Sequence, residues 1–322
     1  MKVLVVQNRM GIGDLIIFLP YIYSISKEYN TPISLLVKEN TRAKDILKDT
    51  PYIDEIIILD RDDKNKTGRH QGATGVINLI QDLRKRNFTK SFIFNSSARY
   101  ALIVKLAGIK NRYQYPLFNK KNQNIVETAK NFIKNSIKKN IESNPSLDID
   151  NNKIMEAKKK YVFNEEYYHI LLGVGGSGPT KRIPVEKFIK FMEMISKNKK
   201  CKFYLAAGKN KIEHEIINKI IESVHKQNCI SLGLMNISET LPIIKNCNLA
   251  VSNDTSFSHI AAALGVKTIV LMSDTPLLYG SYSPKMFPII PDGENNVTHN
   301  TLGKERIDPI KIYEKAKQIL KL

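Results

Sequence analysis

The chain has 322 residues, 42% apolar and 25% charged, a globular composition too long for one ordinary compact domain. Its 50 Lys and Arg against 31 Asp and Glu leave a net charge of +19 and a pI near 9.6, which reads either as fitness for anionic partners (nucleic acid, a membrane surface or a phosphorylated substrate) or, with the many Ile and Asn, as the base composition of the genome. Cys201, Cys229 and Cys247 have neither CxxC spacing nor a companion His cluster, which argues against a disulfide framework or a zinc site and for a reducing compartment.

In chain order, residues 2–7 (KVLVVQ) predict a buried strand, followed by a glycine turn at 11–14 and a helix over 15–29. A strand at 32–37, a helix at 41–48 and a strand at 55–59 come next, then a polar loop over 61–75. A helix at 75–87, a strand at 91–95 and a helix at 100–107, stopped by Gly108, complete the first series. Residues 138–165 are polar, rich in Asn and Lys and without sustained periodicity, and the domain junction is expected there. A second series then runs strand 167–174, helix 185–198, strand 202–207, helix 212–227, strand 229–231, helix 238–246, strand 249–252, helix 257–264 and strand 268–272, with a closing helix at 308–322.

Two βα series without a sequence repeat predict an α/β fold of two Rossmann-like domains facing a central cleft, residues 1–150 and 151–322, with the last helix packing back toward the first domain. No apolar run reaches the ~18 residues of a spanning helix, so a cytoplasmic chain is expected, at most peripheral on a membrane.

Three segments carry chemistry. Residues 173–178 (GVGGSG) fit GxGxxG, but Pro179 and Pro184 stand where a dinucleotide fingerprint needs an uninterrupted helix, and Pro179 occupies the place of a Walker lysine. What remains is a small-residue loop followed by Lys181 and Arg182, suited to a diphosphate or simply a connector with a solvated basic pair. The second segment, residues 253–259 (NDTSFSH), follows a strand and enters a helix, and reads as a helix cap or as a phosphate-binding helix start. The third, residues 8–14 (NRMGIGD), lets the backbone turn tightly and sets Asp14 at the cleft edge, either as a general base or as an ordinary acid in a first helical turn. HExxH and GxSxG are absent, as are signatures of sequence-specific nucleic-acid binding.

Together these segments resemble glycosyltransferase family 9, the heptosyltransferase family of the lipopolysaccharide inner core. The pattern R-x-G-x-G-D-L-I-x-x-L-P is met by Arg9, Gly11, Gly13, Asp14, Leu15, Ile16, Leu19 and Pro20. Further matches are PYIDEI (51–56), LRKRNF (83–88), SSARYALI (96–103), LAGIKNR (106–112), K-R-x-P (181–184) and D-T-x-x-x-H-x-A-A-A-L-G (254–265), in order along nearly the whole chain.

The resemblance implies a GT-B fold and an inverting, metal-independent transfer of a sugar, heptose from ADP-heptose in the best-known members, onto a lipopolysaccharide core or related glycan. It implies no cofactor beyond the nucleotide-diphosphate sugar used as substrate. The N-terminal domain then holds an anionic glycolipid acceptor and the C-terminal domain the donor. By the same resemblance Asp14 is the base. Ser177, Lys181, Glu213, Asp254, Thr255, Ser256 and His259 serve the donor, with Glu213 at the ribose. Gly13, Arg61, Arg99 and Arg112 serve the acceptor, with Lys64 and Arg69 as further basic candidates, and the lysine-rich stretch 120–139 suits an anionic membrane surface.

Two departures stand out: Ser256 replaces the family's glycine, and Ile183 its aromatic in a chain without any Trp. They leave the donor base and sugar open, and the alternatives are a family member using a different nucleotide-sugar donor or a non-catalytic relative that binds a nucleotide sugar or a glycan.

Overall fold

The structure, a computed structural model, describes residues 1–117, 124–197 and 199–322. These fall into two compact units, Met1–Asp148 and Ile149–Leu322.

In the first unit the elements are β1 (Val3–Val6), α1 (Ile12–Tyr29), β2 (Ile33–Val37), a short α2 (Ala43–Ile46), β3 (Ile53–Ile58), α3 (Gly72–Arg84), β4 (Lys90–Ile93), α4 (Ala98–Leu106), β5 (Asn111–Gln114) and α5 (Ile125–Ile137). All strand pairs are parallel, in the order β3-β2-β1-β4-β5. β1 and β2 are wholly buried and read as continuous apolar runs, as strands covered on both faces do. Leu4, Val6 and Ile93 pack with Leu79, Leu83, Tyr100 and Ile103 on one face. Phe94, just past β4, meets Phe18 of α1 and Phe132 of α5 edge-on at 5.0 and 5.1 Å.

The second unit runs α6 (Asn151–Lys160), β6 (Tyr168–Gly173), α7 (Val185–Ser196), β7 (Cys201–Ala206), α8 (Lys211–Ile221), β8 (Cys229–Ser231), α9 (Ile237–Lys245), β9 (Leu249–Asn253), α10 (Ser256–Ala263), β10 (Thr268–Leu271), β11 (Met286–Ile289) and α11 (Pro309–Leu320). Its six parallel strands are ordered β11-β10-β9-β6-β7-β8, the doubly wound pattern. The closing helix belongs to this unit's core, where Ile312, Ala316 and Ile319 are buried with Phe188 and Phe191 of α7.

Several expectations change. The helix expected over 41–48 shrinks to a 3-10 turn and the four-residue α2, because Arg42 between them is left-handed at φ +53°. The span 138–165, expected to lack periodic structure, contains α6, whose only buried residue is Ala157; with no apolar stripe, its signal is the Asp150 cap on Asn152 N at 2.8 Å. The helix expected over 212–227 stops at Ile221, and residue 198, the end expected for α7, lies outside the described residues. β5, α5 and β11 had no expected counterpart. β5 and β11 are four-residue edge strands, one polar and one carrying Pro288, which an edge position tolerates. Among the described residues no helix is long and apolar enough to cross a membrane. In the lysine-rich stretch, residues 120–123 lie outside the described residues.

Candidate active site

In an open parallel sheet, ligands sit beyond the carboxyl ends of the two strands where the winding direction reverses. Those strands are β1 and β4 in the first unit and β6 and β9 in the second, and three of the motif segments follow β1, β6 and β9.

In the first unit the chain leaves β1 through Asn8 and Arg9 and enters α1 at Gly11, whose φ of +97° suits glycine. The helix has no side-chain cap, so the first-turn amides, Gly13 among them, open toward the loop. Asp14 sits in the same turn and accepts from Arg9 Nε at 3.0 Å, its side chain 18% exposed. Asn95, after β4, donates to Asn8 Oδ1 at 3.0 Å, and Asn8 donates to the Tyr100 hydroxyl at 3.3 Å, joining the two loops.

Two of the expected acceptor arginines converge beside this bridge. Arg61 donates to Gln71 Oε1 at 3.0 Å, pairs with Asp63 at 2.6 Å and reaches the Tyr100 hydroxyl. Arg99 donates to the carbonyls of His70 at 2.7 Å and Gly72 at 3.1 Å. Burial first, and then the charge of Arg61, lower the pKa of Arg99.

The remaining basic candidates sit elsewhere. Arg112 lies in the first half of β5 and turns back to the Ile109 carbonyl at 2.6 Å. Arg69 is spent on Asp82, with Nη2 at 2.8 Å, and Lys64 lies in an exposed turn on Asp62.

In the second unit the loop after β6 carries residues 174–178, turns through a 3-10 segment (Pro179–Lys181) and enters α7 after Pro184. Lys181 Nζ donates to Asp254 Oδ2 at 2.8 Å, joining this loop to the one after β9. His259 Nε2 lies 3.7 Å from Asp254 Oδ1, and its Nδ1 meets the Tyr282 hydroxyl at 2.9 Å. Burial opposes ionisation of Asp254, but His259 and Lys181 outweigh it and hold the carboxyl well below the usual carboxylate range. The result is a buried anion that fixes a lysine at the mouth of the second sheet.

Thr255 caps α10, accepting from Phe257 N at 3.3 Å, and its hydroxyl lies 3.3 Å from Ser252 Oγ. Ser256 is the first residue of the helix, and Ser177 is exposed on the β6 loop. Glu213 is 5% exposed and is engaged by Gly208 N and by Asn210 Nδ2 at 2.8 Å, so its carboxylate braces the β7 loop. A Cβ on Gly175 would stand 2.1 Å from Glu213 Oε2, which explains the glycine. The expected ribose ligand is therefore also a scaffold of two loops.

Sequence reasoning missed Tyr282, Asn95 and the Ser273–Asp274 corner. Ser273 Oγ donates to the Thr180 carbonyl at 2.9 Å, and Asp274 accepts from Leu302 N at 2.9 Å. Asn95 borders the 96–103 motif and Ser273 follows the strand expected at 268–272, but their partners, Asn8 and Thr180, are distant in sequence and are brought to them by the parallel order of the strands.

The family model of glycosyltransferase family 9 (heptosyltransferase) matches residues 76–306. Lipooligosaccharide heptosyltransferase 2 of Campylobacter jejuni is 26% identical over 273 residues, 82% of this chain and 78% of the relative. Among solved structures, a family 9 glycosyl transferase from Veillonella parvula superposes with a TM-score of 0.79 at 17% identity, covering 99% of this chain and 97% of that one. The E. coli ADP-heptose lps heptosyltransferase II gives 0.74 at 17%, covering 99% and 98%. The two Rossmann-like units are thus those of a GT-B protein, and the chain belongs to glycosyltransferase family 9, the heptosyltransferase family, and is a glycosyltransferase.

Proposed function

We propose that this chain transfers heptose from ADP-heptose to an anionic lipopolysaccharide core acceptor, with inversion and without a metal. The observation that carries the reading is the Lys181–Asp254–His259 array beside the start of α10, since Asp254 fixes the Lys181 ammonium where a strand end and a helix start already favour an anion. The leaving nucleoside diphosphate gains negative charge as the glycosidic bond breaks. Lys181, the Thr255 and Ser256 hydroxyls and the α10 amides stabilise that charge, with Ser177 on the facing loop.

In the first unit Asp14 takes the proton of the attacking acceptor hydroxyl, and a single displacement at the anomeric carbon inverts it. It sits in an uncapped first turn, with Oδ1 accepting from Arg9 Nε. Gly13, Arg61 and Arg99 receive the acceptor's acidic groups. Arg112 stays among the acceptor candidates with its guanidinium turned to the Ile109 carbonyl. The E. coli neighbour named as an ADP-heptose lps heptosyltransferase supports both the donor and the lipopolysaccharide acceptor, and the Campylobacter relative, named for lipooligosaccharide, supports an acceptor of that glycolipid class.

The test is thermal stabilisation by ADP, GDP, UDP and CDP in the presence of a chelator. A ligand at ~100 times its Kd adds roughly 2.7 kcal/mol. Selective stabilisation by ADP supports the reading; selective stabilisation by another nucleotide replaces the donor, and none by any overturns it.

A further inference from the structure

Asn253, the last residue of β9, is fully buried, and its carboxamide reaches across to the loop after β6. Nδ2 donates to the Val174 carbonyl at 3.0 Å and to the Gly175 carbonyl at 2.9 Å. The next carbonyl, that of Gly176, is held by Arg182 Nε at 3.0 Å. Oδ1 of Asn253 is buried without a hydrogen-bond partner, so the side chain acts here through its donors. Reversing the amide would set an oxygen against two carbonyl oxygens, which fixes its orientation.

Peptide geometry turns this clamp into a site. Successive carbonyls of an extended strand point to opposite sides, whereas those of Val174 and Gly175 converge on one nitrogen. The peptide bonds are trans, so each N–H points opposite to the preceding carbonyl. The amides of Gly175 and Gly176 are therefore turned away from Asn253. Among the described residues neither donates to a protein acceptor, although both glycines are buried. Buried N–H groups without acceptors are rare, and two adjacent ones on a bent loop form an anion-binding concavity.

We propose that Asn253 is a positioning residue of the donor site, holding two carbonyls of the β6 loop inward so that the Gly175 and Gly176 amides present themselves to the donor diphosphate. The inference rests on the donor reading given above. It adds a residue that touches no substrate yet sets the shape of the loop that does, and it sets Glu213, against Gly175, as the stop on the loop's other side.

The test is calorimetric titration of the full chain with ADP, and with UDP, GDP and CDP, for wild type and for Asn253→Asp, Asn253→Ala and Gly175→Ala. Asn253→Asp keeps the shape but removes both donors, and a loss of about ten-fold in nucleotide affinity is expected from one to two hydrogen bonds. The KM for acceptor stays within about two-fold, since only the donor loop is disturbed. Lower pH protonates the new carboxyl and returns one donor, so the affinity of Asn253→Asp rises relative to Asn253→Ala as the solution is acidified. Gly175→Ala pushes the same loop from the Glu213 side and weakens nucleotide binding while Asn253 remains intact. Wild-type affinity in folded Asn253→Asp overturns the inference alone. Should Asn253→Asp fail to fold, wild-type affinity in Gly175→Ala overturns it instead. A wild-type chain that binds no nucleotide overturns both this inference and the donor reading.

Discussion

Lys181 and Asp254 are 73 residues apart in sequence, yet Lys181 Nζ lies 2.8 Å from Asp254 Oδ2, joining the loops that follow β6 and β9. Asp254 is 7% exposed, so its charge is carried in a site that tolerates it only with its partners in place. Removing the ammonium leaves a buried carboxylate with His259 alone. We expect Lys181→Ala to weaken donor binding by about 10- to 100-fold and to cost roughly 3 kcal/mol of stability. Donor titration alongside chemical denaturation measures both; an unchanged donor affinity would remove Lys181 from the site.

Acid stability gives an independent check on the first unit. The hydrogen bond from Arg69, followed by that from His70, draws Asp82 down to about 2 despite partial burial. A folded pKa below the unfolded one means that the stabilisation is fully present above the unfolded value and is lost as pH falls from about 4 toward 2. Because the pair is largely solvent-exposed and screened, its size is about 1 kcal/mol. Asp82→Asn should lower stability at neutral pH and flatten the loss between those limits, as read by denaturation at several pH values. A parallel downward shift at every pH would contradict the assignment.

How much of this was legible in the sequence follows from where each signal lives. The strands β1, β2, β6 and β9 are buried on both faces, so their apolar runs mark them directly. Asp14, Lys181 and Asp254 stand at strand-to-helix turns whose glycine, proline and capping residues are local features. α6 escaped because it buries one residue, and β5 because an edge strand with the sequence NRYQ has no apolar alternation. The contacts of Tyr282 with His259 and of Asn95 with Asn8 depend on strand order, which a single sequence does not display. Arg112 matched the motif, but its side chain turned to Ile109 instead of joining Arg61 and Arg99.

Gly11 isolates a backbone effect. At φ +97° it has open space where a Cβ would stand, so Gly11→Ala meets no clash and pays only for conformation, about 1 to 3 kcal/mol. Gly178, equally open but extended at φ −149°, accepts alanine without that strain. Thermal denaturation should separate the two variants, and turnover should fall for Gly11→Ala because its turn carries Asp14. Equal melting temperatures would contradict the backbone argument.

Arg99 is predicted to act on the acceptor alone. Arg99→Ala should raise the acceptor KM by about ten-fold and leave donor affinity unchanged, while Arg99→Lys restores charge but not both carbonyl contacts and recovers only part of the loss. Steady-state kinetics with each substrate varied in turn decides this, and a raised donor KM would place Arg99 wrongly.

The most direct test of the account is transfer from ADP-heptose to heptose-free lipopolysaccharide, read as a mass gain of the acceptor, by wild type and Asp14→Asn side by side with ADP titration of both. The account predicts transfer by wild type, a fall in kcat of about 100-fold or more in Asp14→Asn, and equal ADP affinity for the two. Wild-type turnover in Asp14→Asn, or no transfer by a wild-type chain that binds ADP, would contradict it.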